Sequence, residues 1–118
     1  MPFSLHGIPN CDTVKKARAW LDARGIAYAF HDYKKAGADP AALARWCDAL
    51  GWEVVLNRAG TTFHKLPDSD KADLTREKAL ALMVAQPSMI RRPVVEGDGV
   101  LLAGFKPEAW KAALERKR

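Results

Sequence analysis

The sequence has no apolar run near the ~18 residues that a membrane-spanning helix requires. It opens on Met1-Pro2-Phe3-Ser4, without the basic stretch and apolar stretch of a secretory leader. Cysteine is scarce, with Cys11 and Cys47 the only two in 118 residues. That excludes a disulfide framework and, with no export signal, leads us to expect a reducing, cytoplasmic setting. Val14 stands three positions after Cys11, so there is no Cys-x-x-Cys pair to resolve a mixed disulfide internally at that spacing. Repeats, low-complexity segments and inter-domain linkers are also missing, and the length suits one domain over 1–118. The charge balance is modest: 19 Lys and Arg against 14 Asp and Glu, a net +5. The terminal cluster Lys111, Arg116, Lys117 and Arg118 reads as a solvated helix end, so no nucleic-acid or membrane partner is expected. A positive excess still favours anionic substrates.

Against these absences Cys11 stands out. It follows a short apolar run, Phe3-Ser4-Leu5-His6, and a turn, Gly7-Ile8-Pro9-Asn10. It precedes Asp12 and Thr13, both good helix caps, and then Val14, Ala17 and Leu21 at helical spacing with Trp20 beside them. A cysteine between a strand end and a helix N-terminus faces unpaired N–H groups and the positive end of the helix dipole. Both favour the thiolate and lower the pKa from about 8.5 into a range of roughly 3.5–7.5. The competing reading is a small buried apolar residue.

Three stretches follow one another. The first is strand, helix, strand: about 2–6, about 12–24 ending at Gly25, and about 27–33, where Tyr28, Phe30 and Asp32 alternate with Ala29 and His31. The second, about 34–87, is helical. Asp39-Pro40 starts a helix in which Leu43, Trp46, Cys47 and Leu50 share one stripe, and Gly51 stops it. Cys47 is therefore read as core. Asn57 to Lys65 reads as a polar loop. A helix over about 75–85 follows, with Thr75 as cap and Leu80, Met83 and Val84 inward. The third stretch is a hairpin and a helix. Pro93-Val94-Val95-Glu96 and Val100-Leu101-Leu102-Ala103 flank Gly97-Asp98-Gly99, and Pro107 opens a helix with Trp110, Ala113 and Leu114 inward.

The order βαβ then ββα predicts an α/β, thioredoxin-like fold with an inserted helical subdomain. Its core would be about 1–33 and 88–118, and the insertion about 34–87. Pro93 opens the third strand. If its peptide bond is cis, the preceding backbone would sit beside the nucleophile and offer N–H and C=O groups to an extended substrate; the plainer reading is an ordinary strand-opening proline.

Five segments carry a resemblance: Gly7 to Ala17, Phe30-His31-Asp32-Tyr33, Leu56 to Phe63, Arg91-Arg92-Pro93, and Gly104-Phe105-Lys106-Pro107. Together, in this order, they resemble the arsenate reductase (ArsC)/Spx family, and within it the YffB-like branch. The resemblance spans essentially the whole chain. It implies a thioredoxin-like fold with a helical insertion. ArsC members reduce arsenate through one cysteine with glutathione and glutaredoxin, YffB-like members are regarded as glutathione-dependent thiol reductases, and Spx members are transcription regulators that bind RNA polymerase.

The resemblance places the nucleophile on Cys11 and two of three oxyanion-binding arginines on Arg58 and Arg92. The third falls at or beside Lys106, where this chain has no arginine. Lysine is a point charge and lacks the paired N–H fork of a guanidinium, which counts against an arsenate site. Arg58 and Arg92 would still suit a carboxylate of glutathione; alone, each reads as a surface charge. His6 has two readings, a proton-transfer partner of the thiolate or a half-buried strand-end histidine. Asn10 either shapes the turn or donates to a bound oxyanion. The resulting expectation is a thiol/disulfide oxidoreductase with no bound cofactor and glutathione as co-substrate. Glutaredoxin or a protein disulfide is a further partner. The resolving thiol is glutathione, Cys47 or a partner protein. The alternatives are an arsenate reductase and a Spx-like regulator.

Overall fold

The computed structural model describes residues 3–97 and 99–114. Pro2, Asp98, Arg116, Lys117 and Arg118, expected in a strand, a turn and a basic tail, lie outside the described residues, as do Met1 and Glu115. Two compact units are present. One runs to Tyr33 and resumes at Arg92; the other is Lys34–Arg91.

In the first unit, Phe3 and Leu5 point to one side of strand β1 (Phe3–Gly7) and are buried, while Ser4 and His6 point to the other. Such alternation suits a strand with one face on a core. Helix α1 (Asp12–Ala23) buries Val14, Ala17 and Leu21 on one stripe. It ends where Gly25, at φ 67°, supplies the left-handed turn that lets Ile26 N–H reach back to the Leu21 carbonyl at 3.0 Å. Strand β2 (Tyr28–Asp32) then returns parallel to β1, with Leu5 opposite Phe30 and Gly7 opposite Asp32. Tyr33, read above as the last residue of this strand, instead begins a helical turn, α2 (Tyr33–Ala36).

Strands β3 (Val94–Gly97) and β4 (Val100–Ala103) form the antiparallel hairpin, and β3 also pairs antiparallel with β1. The sheet order is β2-β1-β3-β4, as a thioredoxin-like βαβ–ββα order requires. The last helix of this unit, Pro107–Leu114, buries Trp110 and Leu114. Leu5, Ala17, Leu21, Val95, Trp110 and Leu114 form the centre of its core, each with no exposed area. At about 25 cal/mol per Å², burying one such Leu is worth roughly 2 kcal/mol.

The second unit is helical. Helix α3 (Pro40–Leu50) is capped by Asp39, whose carboxylate accepts from Ala41 N–H at 3.1 Å, and stops at Gly51 with φ 93°. Leu43, Trp46 and Cys47 are buried on its stripe. Helix α4 (Trp52–Val55) follows at once. Residues 57–65 are not a simple loop: Thr61–His64 closes a helical turn, α5, with His64 N–H to Gly60 C=O at 3.1 Å. One turn shows no periodicity, and its two β-branched threonines disguise it. After α6 (Asp68–Lys71) comes α7 (Arg76–Ala85), capped by the Thr75 hydroxyl on Lys78 N–H. Ala79 and Met83 face inward in α7, whereas Val84, expected inward, is 42% exposed because the buried stripe is one residue earlier. A 3-10 turn, Pro87–Met89, precedes an antiparallel bridge between Leu56 and Ile90. The final helix, Pro107–Leu114, is therefore α8.

Candidate active site

Gly7, Cys11 and Val14 set the geometry where β1 hands over to α1. Gly7 ends the strand with no side chain, and a Cβ there would lie 2.9 Å from Val14 Cγ2. The missing side chain lets the first turn of α1 sit down on the strand. Cys11 N–H bonds the Ile8 carbonyl at 3.2 Å, closing the intervening turn, and the Cys11 carbonyl accepts from Lys15 N–H at 2.9 Å. Cys11 is thus itself the N-cap of α1, with extended φ −93° and ψ 127°. This corrects the expectation that Asp12 or Thr13 would cap: both already lie within the helix.

Cys11 is half-buried and in no disulfide. Burial by itself would raise its pKa, but three groups outweigh that: the Val14 N–H, the Arg92 guanidinium and the Thr13 N–H. The thiol is held below its ordinary range. No side-chain cap hydrogen bond of ordinary geometry closes at Cys11, so we attribute the amides' effect to their charge at the helix end rather than to a strong directed bond. Arg92 makes the direct contact, with Nε donating to Cys11 Sγ at 3.4 Å.

Arg92 arrives because the chain re-enters the first unit there. The Arg92–Pro93 peptide bond is cis. Pro93 C=O accepts from Gly104 N–H at 2.8 Å, tying the start of the hairpin to its end. Its neighbour Arg91 behaves differently: its Nε donates to Val54 C=O at 2.7 Å and its N–H to Val55 C=O at 2.7 Å, inside the second unit.

The remaining expected site residues are His6, Asn10 and Lys106 in the first unit and Arg58 in the second. His6 is half-buried, stacks on His31 at 4.7 Å between centroids, and places Nε2 3.8 Å from Glu96 Oε1. Asn10 is exposed in the turn before Cys11. Lys106 is exposed, and its carbonyl accepts the Trp110 N–H that starts α8. Arg58 belongs to the second unit. Its turn is shaped by Asn57 Oδ1, which accepts from Ala59 N–H at 3.3 Å, and its guanidinium carbon stands 5.8 Å from the Trp52 ring centroid.

Tyr33 also stands at this site, although its sequence position gave no sign of it. It is buried at 4% exposure, and its phenol and the Arg92 guanidinium are near enough to act on each other's ionisation. Burial pushes its phenol up to about 12, against the opposing pull of the Arg92 charge. In the sequence Tyr33 stood out only as part of the segment Phe30 to Tyr33, with nothing to assign it a task.

Known proteins share this arrangement of elements. A solved structure of a YffB protein is 60% identical with a TM-score of 0.92, covering 95% of this chain and 98% of its own. The solution structure of an arsenate reductase (ArsC) related protein from Brucella melitensis is 51% identical with a TM-score of 0.77, covering 98% of this chain and 96% of its own. The global transcriptional regulator Spx of Streptococcus mutans is similar at a lower level, 26% identical over 92% of this chain and 80% of its own length. The ArsC family model matches residues 6–113, from the end of β1 into α8. A match over that span, with relatives of more than half identity, means that the chain belongs to the ArsC family.

Proposed function

We propose that this chain is a thiol–disulfide oxidoreductase whose nucleophile is Cys11 and whose regenerating thiol is glutathione. The observation that carries this reading is Arg92 Nε at 3.4 Å from Cys11 Sγ, on a sulfur that caps a helix. In the first step the Cys11 thiolate attacks one sulfur of a substrate disulfide. A new S–S bond joins Cys11 to that sulfur, and the other sulfur leaves as a thiolate and takes a proton from solvent. In the second step a glutathione thiolate attacks the mixed disulfide. Cys11 thiolate leaves, and the substrate half departs bonded to glutathione. If that half is itself glutathione, the product is glutathione disulfide.

An external thiol suits the second step because Val14 occupies the position of a nearby resolving cysteine and Cys47 is buried. Burial raises the Cys47 pKa, leaving it a poor attacking thiol at neutral pH. Glutaredoxin is the protein alternative to glutathione. The family resemblance assigns Arg58 and Lys106 to anion binding, with Arg92 the cation held on the sulfur. Disulfide exchange needs few such donors. Displacement at arsenate needs several, and loss of one typically costs about 10²–10³ in rate. A regulator like Spx would leave Cys11 incidental, which gives no reason for a guanidinium on its sulfur.

Coupled turnover with glutathione, using a small disulfide and arsenate in parallel, tests the reading. Disulfide reduction is expected and should vanish in Cys11→Ser. Arsenate turnover should be weaker by about 10²–10³ and should rise in Lys106→Arg. Disulfide reduction that survives Cys11→Ser, or strong arsenate turnover indifferent to Lys106→Arg, contradicts it.

A further inference from the structure

An arginine is a long, flexible side chain, and ordering it costs rotamer entropy. A guanidinium meeting a sulfur through one N–H at 3.4 Å is weakly anchored by that contact alone. Something else must fix its plane if Nε–H is to keep facing the sulfur. Tyr33 is placed for that purpose. It is buried where β2 passes into α2, near enough to both Arg92 and Cys11 for each to act on its ionisation, while Arg92 Nε faces Cys11 Sγ. A guanidinium has donors only, so in a hydrogen bond between the two the phenol oxygen is the acceptor.

We propose that Tyr33 is a positioning residue of this site: its phenol oxygen accepts from Arg92 and holds the guanidinium against Cys11 Sγ. The inference rests on Cys11 being the working nucleophile, as proposed above.

The choice of a phenol has a chemical reason. A carboxylate in the same place would grip Arg92 harder, but it would also neutralise the guanidinium and cancel its pull on the thiolate. A buried tyrosine stays uncharged through the pH range in which Cys11 ionises, so it orients the cation without competing for its charge. Among the described residues, the ionisable groups acting on Tyr33 are Arg92, Cys11 and Asp32 at the end of β2. Arg92 is the cation that acts on both the phenol and the sulfur.

Tyr33→Phe removes only the hydroxyl and keeps the buried ring. Thiolate absorbance at Cys11, followed against pH in a Cys47→Ala background, is the readout. The Cys11 midpoint should rise by about half to one pH unit in Tyr33→Phe. It should rise at least as far in Arg92→Ala, and no further in the double variant, because Tyr33 acts through Arg92. An unchanged midpoint in Tyr33→Phe, or full additivity with Arg92→Ala, overturns the proposal. If Tyr33→Phe does not fold, NMR on the unaltered protein decides. A slowly exchanging Arg92 side-chain N–H with a nuclear Overhauser contact to the Tyr33 ring supports the role, and the lack of either overturns it. Both readouts are independent of substrate. Absent glutathione turnover with a shifted midpoint would sink the proposed reaction and leave the Tyr33 role standing; turnover with no shift would do the reverse.

Discussion

Burial alone drives a thiol toward its neutral form, and at Cys47 it prevails. The charges of Arg76 and Asp48 act there in opposite senses, and the thiol pKa ends up raised. At Cys11 the same penalty is outweighed by two backbone N–H groups and one guanidinium. The two thiols should therefore alkylate at very different rates near neutral pH. Iodoacetamide labelling followed by mass spectrometry should show Cys11 modified first, with a midpoint below about 8.5, and Arg92→Ala should slow it. Equal rates at both cysteines would remove the physical basis for a nucleophile. Cys11 was legible in the sequence because its special position is local: a strand end, a turn and a helix start within a few residues. Its partner was legible only through the family resemblance. Arg92 is 81 residues away in sequence, and only its place directly before Pro93 sets it apart from Arg91, which turns to Val54 instead. Tyr33 was harder still, since its role exists only once Arg92 is in place.

Helix α1 and strand β1 meet at Gly7, and that packing aims the first-turn amides. Adding a methyl group there would bring a Cβ to 2.9 Å from Val14 Cγ2 and 3.4 Å from Cγ1. Val14 is fully buried and β-branched, so it has little room to turn aside. Gly7→Ala should therefore displace the start of α1 and cost about 1–3 kcal/mol. Moving the Val14 N–H off the sulfur should also raise the Cys11 midpoint. Urea unfolding and the alkylation profile check the two effects together. A variant of full stability with an unshifted midpoint would show that the strand does not hold the helix end. Helices of several turns declared themselves in the sequence: α3 through Asp39-Pro40 and the spacing of Leu43, Trp46 and Cys47, and α7 through Thr75. The single turns α2, α4, α5 and α6 did not, because four residues cannot display a period of 3.6. The βαβ crossover implied parallel strands and the short Gly-containing turn implied a hairpin. The antiparallel pairing of β1 with β3 depends on contacts between distant parts of the chain.

For the whole molecule, folding is coupled to two titrations of opposite sign. Tyr33 has a folded pKa of about 12, above the ordinary value of 10. Its contribution to stability is complete below pH about 10 and is lost as pH rises from there through about 12. That loss is worth about 3 kcal/mol. Cys11 has a lowered folded pKa, so its contribution is present above the ordinary thiol range and is lost as pH falls through the folded value. Urea unfolding between pH about 9 and about 12 should show stability falling in the unaltered protein and a flatter curve in Tyr33→Phe; parallel curves would contradict the burial of the phenol. Among the described residues no helix is long and apolar enough to cross a membrane. Whether Cys11 acts as the sulfur nucleophile is tested most directly by oxidised glutathione. After brief exposure near neutral pH, intact-mass and peptide analysis should find one glutathione per chain, bonded to Cys11 and released by reduced glutathione. A chain left unmodified, or modified at Cys47 instead, would contradict the account.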